Sequence, residues 1–322
     1  MNRRNLGLIA LAAALPAGPA LSQATAWPTR PVRIVVPFAA GGTADVLGRI
    51  MAERLSVKWG QAVVVENRPG AGGNIGAEVV ARSTPDGYTL VVGTVGIHAA
   101  SSIYARLPYD PVRELAPVTV LAEMPNAILV HPSVPARTLQ ELVDLAKRDP
   151  GRLSFGSAGS GSSTHLAGEA FLLAAGVRMT HVPYRGSSAA LNDLVAGNIQ
   201  VMFENLPTVP PLAEAGTVRV LAVTSRDRVT QLPNAPAARE VVSDYVATAW
   251  MTLAAPSGVP APLLEQISAD SRAVLNEPAV RERLVALGAI PMATSIEESR
   301  SFFAAETAKW TRVIEAAGIR LN

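Results

Sequence analysis

One device occurs three times in this chain and limits what it can fold into: a strand-like run ends near glycine, hydroxyl residues follow, and a helical pattern begins. The copies are Phe38-Ala39-Ala40-Gly41-Gly42-Thr43-Ala44-Asp45, Gly156-Ser157-Ala158-Gly159-Ser160-Gly161-Ser162-Ser163-Thr164-His165 and Tyr184-Arg185-Gly186-Ser187-Ser188. Around them, apolar runs alternate with helical spacing: Val32 to Phe38, a helix from about Thr43 to Val57, a strand Ala62 to Glu66, a helix Asn74 to Ser83 and a strand Tyr88 to Val95. This is βαβ grammar, and continuous aliphatic runs suit strands covered on both faces.

The alternation restarts after Ala116, with strands expected near Val118 to Leu121 and Ile128 to Val130, a helix Leu139 to Arg148, and a strand Leu153 to Gly156. It continues through helix Thr164 to Ala175, strand Thr180 to Pro183, helix Ser188 to Ala196, and strands Ile199 to Phe203 and Val218 to Thr224. Helices over about Pro262 to Asn276, Pro278 to Leu287 and Ile296 to Ala317 lack strands for a domain of their own and are expected to return to the first unit. The expected fold class is therefore α/β in two units: 27–124 with 249–322, and 125–248. Two chain crossings between them make a cleft and a hinge possible.

Residues 1–26 read as an export signal: Arg3 and Arg4, an apolar run Leu6 to Leu15, and small residues through Ala24-Thr25-Ala26. Both the ordinary secretory route and twin-arginine export fit. The run is too short for the roughly 20 apolar residues a membrane span needs, so no anchor is expected. Without those two arginines the formal charge of +2 falls to zero. The remaining Lys and Arg are scattered among acids, so no basic stripe supports nucleic-acid binding. Zero cysteines exclude disulfides, thiolate sites and a lipid-modified cysteine. A freely diffusing monomer in the periplasm is the simplest expectation.

The first turn of a helix carries N–H groups without internal partners, at the positive end of the aligned peptide dipoles, so an anion there meets ready donors. Gly41 and Gly42 permit close approach, Thr43 is placed to cap, and Asp45 lies in the first turn. Ser157, Ser160, Ser162, Ser163 and Thr164 crowd a single turn. Glycine and hydroxyls mark any βα turn, but three such turns at the carboxyl ends of parallel strands can face one crevice. Four charge-assisted hydrogen bonds at roughly 2 kcal/mol each would total about 8 kcal/mol, near a micromolar complex before association costs.

Catalytic constellations are weak. No Gly-x-Ser-x-Gly elbow spans the serine-rich turn, and His98, His131, His165 and His181 stand far apart without metal-ligand spacing, so neither a catalytic residue, a metal nor a cofactor is assigned. His165 is placed either to donate to a ligand or to orient the loop. Gly70-Ala71-Gly72-Gly73-Asn74-Ile75-Gly76 fails dinucleotide spacing because Ile75 takes the third-glycine place, and reads as a loop and helix start. Arg185 reads as a surface charge, with a carboxylate clamp as its alternative. Glu204 and Asn205 end a strand at the cleft edge.

Residues Trp27-Pro28 through Asp45, Val65-Glu66-Asn67-Arg68-Pro69-Gly70-Ala71-Gly72-Gly73-Asn74, Pro85-Asp86-Gly87-Tyr88-Thr89-Leu90, Leu107-Pro108-Tyr109-Asp110-Pro111, Gly156 to Glu169, Val182-Pro183-Tyr184-Arg185-Gly186 and Leu221-Ala222-Val223-Thr224-Ser225 resemble, in order, the Bug-type receptors of tripartite tricarboxylate transporters. The resemblance implies a two-lobed periplasmic binding protein of Venus-flytrap type, each lobe a mixed, mostly parallel sheet flanked by helices, with no chemistry of its own. It implies a small organic carboxylate held by amides, hydroxyls and water, and transient contact with membrane transporter subunits. By position it assigns the ligand to Phe38, Ala39, Gly41, Gly42, Thr43 and Asp45, to Ser157, Ser160, Ser162, Ser163, Thr164 and His165, and to Tyr184 and Gly186, with Thr94 and Glu204 as further candidates. Two departures stand out: His98-Ala99-Ala100 where relatives often show an Asn-Pro pair, and Gln200 with Glu204 where aspartate is common. An exported serine hydrolase using Ser160 or Ser162 with His165, and a solute sensor docking to a signalling receptor, are the rival functions.

Overall fold

The computed structural model describes residues 27–321; the expected export signal lies outside them. In chain order the first part forms β1 (Val32–Val36), α1 (Thr43–Trp59), β2 (Val63–Asn67), α2 (Asn74–Ala81), β3 (Thr89–Thr94), the short α3 (Val95–His98) and α4 (Ala100–Ile103), and β4 (Leu115–Val130). The middle part adds α5 (Leu139–Arg148), β5 (Ser154–Ser157), α6 (Ser163–Ala175), β6 (Thr180–Pro183), α7 (Ser187–Val195), β7 (Val201–Asn205), α8 (Pro210–Glu214) and β8 (Arg219–Val223). The chain then forms β9 (Thr248–Pro256), α9 (Ala261–Leu275), α10 (Pro278–Ala286), β10 (Ile290–Pro291) and α11 (Ile296–Ala316).

Local chemistry accounts for the helix ends. Gly60 and Gly176 adopt left-handed φ of 63° and stop α1 and α6, a conformation that glycine reaches without steric cost. Ser295 and Glu298 form a reciprocal capping box that starts α11, and Thr138 caps α5 through the Glu141 amide.

The strands run in the order β2-β1-β3-β9-β4-β7-β5-β6, with β8 and β10 also on β4. The groups β2-β1-β3 and β6-β5-β7 are parallel, whereas β9 and β4 run antiparallel to their neighbours. Where the sequence suggests two strands, Val118 to Leu121 and Ile128 to Val130, the structure has the single sixteen-residue β4, which runs through Pro117 and Pro125. Its first part pairs with β9 and its last part with β7 and β8, so one strand passes through both lobes. Proline normally interrupts a strand because it lacks the ladder donor; here the register shifts beside Pro117, so the missing donor is accommodated at an irregularity.

Separate apolar clusters support the two lobes. One gathers Ile34, Leu47, Leu55, Leu90, Leu253 and Ile267. Another gathers Phe155, Phe171, Phe203 and Trp250, together with Trp310 and Ile314 of α11. The last helix thus packs on α6 as well as on β4, and touches both lobes.

Candidate ligand-binding site

The three glycine and hydroxyl junctions leave the carboxyl ends of β1, β5 and β6 and open α1, α6 and α7. They converge. The cavity between them is lined by Phe38, Gly42, Thr43, Ala44, Thr94 and Met251 from one lobe and by Ala158, Ser163, Ser187 and Asn205 from the other. It encloses about 280 Å³ of space between atoms, nearly all of it against the walls, leaving room for about one water molecule. The two lobes therefore stand close together around it.

Backbone contacts hold this closed arrangement. The Ala39 amide donates to the Arg185 carbonyl at 3.2 Å, and Tyr104 Oη donates to the Ser160 carbonyl at 3.3 Å. A Cβ added at Gly72 would lie 2.2 Å from the Ser160 oxygen, and one at Gly96 2.3 Å from the Gly161 oxygen. Gly72, within the run read as a loop and helix start, thus lets the serine-rich turn dock against the opposite lobe.

The cavity wall contains no charged side chain. Its donors are helix N-termini and neutral groups. Thr43 and Thr94 are 2% and 1% exposed, and neither Oγ1 has a hydrogen-bond partner among the described residues. Unpartnered buried hydroxyls are rare and cost stability, so two on one cavity point to a ligand that satisfies them. Asn126 Nδ2 donates to Asn205 Oδ1 at 2.9 Å, which orients the Asn205 amide with its NH₂ group unengaged by described residues.

Several expected ligand residues instead build the loops. The cap of α1 is Gly42, without a side-chain bond, and Thr43 is the first helical residue; the expectation that Thr43 caps is corrected, and its hydroxyl is left for the cavity. Asp45 accepts from the Gly41 amide at 3.0 Å, Arg49 Nε at 2.9 Å and Asn67 Nδ2 at 2.9 Å, so it fixes the first loop and does not line the cavity. Burial alone would raise its pKa, but the Arg49, Gly41 and Asn67 bonds and the Arg49 charge outweigh burial and leave it lowered. Gly41 has φ of 83° and aims its N–H at that carboxylate.

In the second loop only Ala158 and Ser163 reach the cavity. Ser162 is the cap of α6, accepting from the His165 amide at 3.3 Å, and Thr164 Oγ1 accepts from the Ala158 amide at 2.9 Å. His165 Nδ1 accepts from the Gly161 amide at 3.0 Å, so of its two readings the loop-orienting one matches the geometry. Ser157 Oγ lies 2.6 Å from His181 Nε2 and also accepts from the Gly159 amide. Burial, with the stacked His165 beside it, pushes His181 down to about 3, leaving it neutral. Ser160 contributes its carbonyl to the interlobe contact.

Tyr184 donates from its hydroxyl to Asp193 Oδ2 at 2.6 Å and is tied to α7 instead of the cavity. Gly186 precedes α7 and packs against Ala39, where a Cβ would stand 2.9 Å from the Ala39 nitrogen. Arg185 is exposed, as its surface reading requires. Glu204 is fully buried beside the lining residue Asn205. Its Oε1 accepts from Thr208 Oγ1 at 2.9 Å, while Oε2 has no partner in hydrogen-bonding geometry. Burial pushes its pKa up to about 7, with Thr208, nearby Ser187 and the Asn205 amide pulling the other way. Met251, on β9, is a lining residue that no local motif marks.

This fold, with helix N-termini from both lobes facing one crevice, defines a two-lobed periplasmic binding protein. The chain belongs to the family described as tripartite tricarboxylate transporter family receptor, whose model matches residues 47–319. It is 34% identical to protein BugT of Bordetella pertussis over 93% of each chain. Among solved structures, Rpa4515 of R. palustris with adipate is 40% identical, with a TM-score of 0.89 over 92% of this chain and 100% of that one. MatC of Rhodopseudomonas palustris with bound malate is 32% identical, with a TM-score of 0.85 over 89% and 100% of the respective chains.

Proposed function

We propose that this protein is a periplasmic, non-enzymatic receptor that closes on a small dicarboxylate and presents it to a membrane transporter of the tripartite tricarboxylate type. The observation that carries the proposal is the pair of buried, unpartnered hydroxyls, Thr43 and Thr94, on a cavity where α1, α6 and α7 begin. Helix N-termini and hydroxyls suit a carboxylate, and the family members with adipate and malate bound are consistent with that class. The lobes are proposed as 27–124 with 249–322, and 125–248, hinged where β4 and the start of β9 pass between them. Export by removal of residues 1–26 agrees with the family's periplasmic character. No helix among the described residues is long and apolar enough to cross a membrane.

The absence of turnover is supported by the hydroxyl assignments: Ser162 and Thr164 bond the loop backbone, and Ser157 faces a half-buried, neutral His181 that does not line the cavity. A thermal-shift screen of the protein against mono-, di- and tricarboxylates tests the proposal, because a ligand of the native state raises the melting temperature. Stabilisation by one dicarboxylate class, abolished when a carboxylate becomes an amide, is expected. Lack of a shift with every carboxylate would overturn it.

A further inference from the structure

A second cavity, of about 560 Å³, lies on the opposite side of β9 from the cleft and shares no lining residue with it. The alternation of a strand separates them: Met251 faces the cleft, and the next residue, Thr252, faces His98. The walls are α3, the start of β4 with the loop before it, and α11, and they are largely apolar: Val112, Leu115, Pro117 and Phe303. Val112, 76% exposed, forms the outer lip of the cavity. The volume falls within the range of about 300–1,000 Å³ typical of small-molecule sites.

Three polar side chains line this space: His98 and, on α11, Arg300 and Thr307. His98 lines it and is 6% exposed, stacked on Phe303 with ring centroids 4.0 Å apart. Its Nε2 lies 3.2 Å from Thr252 Oγ1, and its Nδ1 has no partner among the described residues. The pair fits because residue 93 is glycine: a Cβ there would stand 2.3 Å from Thr252 Oγ1 and 2.6 Å from His98 Nε2. Burial holds the ring neutral, so one nitrogen carries hydrogen and the other accepts. Arg300 stands exposed on the rim and makes no ion pair or hydrogen bond with described residues.

We propose that this cavity is a second ligand site, distinct from the cleft, for an aromatic hydroxy acid: its ring against Phe303 and Leu115, its carboxylate on Arg300, and its hydroxyl on His98 Nδ1. An apolar body between a cationic rim and a neutral hydrogen-bonding floor selects a monocarboxylate with a polar group at its far end. A dicarboxylate would bury a charge against a neutral imidazole. Because α11 also packs on α6, the occupant would lie against a helix that touches both lobes.

Saturation-transfer NMR titration of the purified protein with 4-hydroxyphenylacetate tests this, with phenylacetate and 4-hydroxyphenylacetamide as comparison probes. Arg300→Gln, a surface change that leaves the core untouched, is expected to weaken 4-hydroxyphenylacetate roughly fivefold or more, and to leave the already weaker amide unchanged. His98→Phe keeps an aromatic ring against Phe303 and is expected to erase the preference for 4-hydroxyphenylacetate over phenylacetate. Thr43→Val with Thr94→Val, which alters only the cleft, should leave 4-hydroxyphenylacetate binding intact. The proposal is overturned by no binding at millimolar concentration, by indifference to either Arg300→Gln or His98→Phe, or by loss of binding in the cleft double variant.

Discussion

Glu204→Gln isolates the energetic role of the buried carboxyl beside the cleft. In the folded protein Glu204 holds its proton up to about pH 7, whereas in the unfolded chain it gives the proton up near 4.5. Between those values only the folded state keeps the proton, so the stabilisation is full below about pH 4.5 and is lost as the pH rises to about 7. At about 1.4 kcal/mol per pH unit, the interval amounts to roughly 3 kcal/mol. Burial also depresses His98 and His181 to about 3, so those rings lower stability as the pH falls below 6.5, in the opposite sense. The informative quantity is therefore the difference between wild type and Glu204→Gln, in which the histidines cancel. Calorimetric melting from pH 5 to 8 should show the variant gaining on wild type by about 6 °C, at about 2 °C per kcal/mol for a chain of this size. Parallel curves would refute the picture of a carboxyl desolvated and half-satisfied in the core.

Thr43→Val and Thr94→Val remove hydroxyls that lack partners, so each should leave the ligand-free melting temperature unchanged or raise it, while weakening dicarboxylate binding about tenfold or more by titration calorimetry. Ser162→Ala deletes the cap of α6 and should cost about 1 kcal/mol, seen as a lower melting temperature in the absence of ligand. Gly72→Ala places a methyl group against the Ser160 carbonyl and should weaken ligand binding at least tenfold by blocking closure, with small-angle scattering showing a more open molecule in saturating ligand.

The βαβ alternation and the three junctions were readable because glycine, hydroxyl residues and helical spacing are local signals. Which hydroxyl faces the cleft was not. A shift of one position separates a cap from the first helical residue, and that shift exchanges the roles assigned to Thr43 and Gly42. In the second junction, Ser162 and Ser163 are adjacent and chemically identical, yet one bonds the loop and the other lines the cavity. The runs Val118 to Leu121 and Ile128 to Val130 do not reveal the continuity of β4, since a strand can absorb a residue such as Pro117 at a register shift that composition does not show. Gly72 and Gly96 meet a turn far along the chain, so their purpose depends on tertiary contact. Met251 reaches the cavity only because β9 is threaded between β3 and β4, and the apolar stripe of α11 does not say that it is shared by two lobes.

The central claim is that a solute carboxylate sits where α1, α6 and α7 begin and satisfies hydroxyls the protein leaves unpartnered. A crystal structure of the protein grown with the dicarboxylate that stabilises it most tests this directly. The account predicts a carboxylate group within hydrogen-bonding distance of Thr43 Oγ1 or Thr94 Oγ1 and of at least one helix N-terminal amide. A solute bound elsewhere, with both threonine hydroxyls still unpartnered, would contradict it.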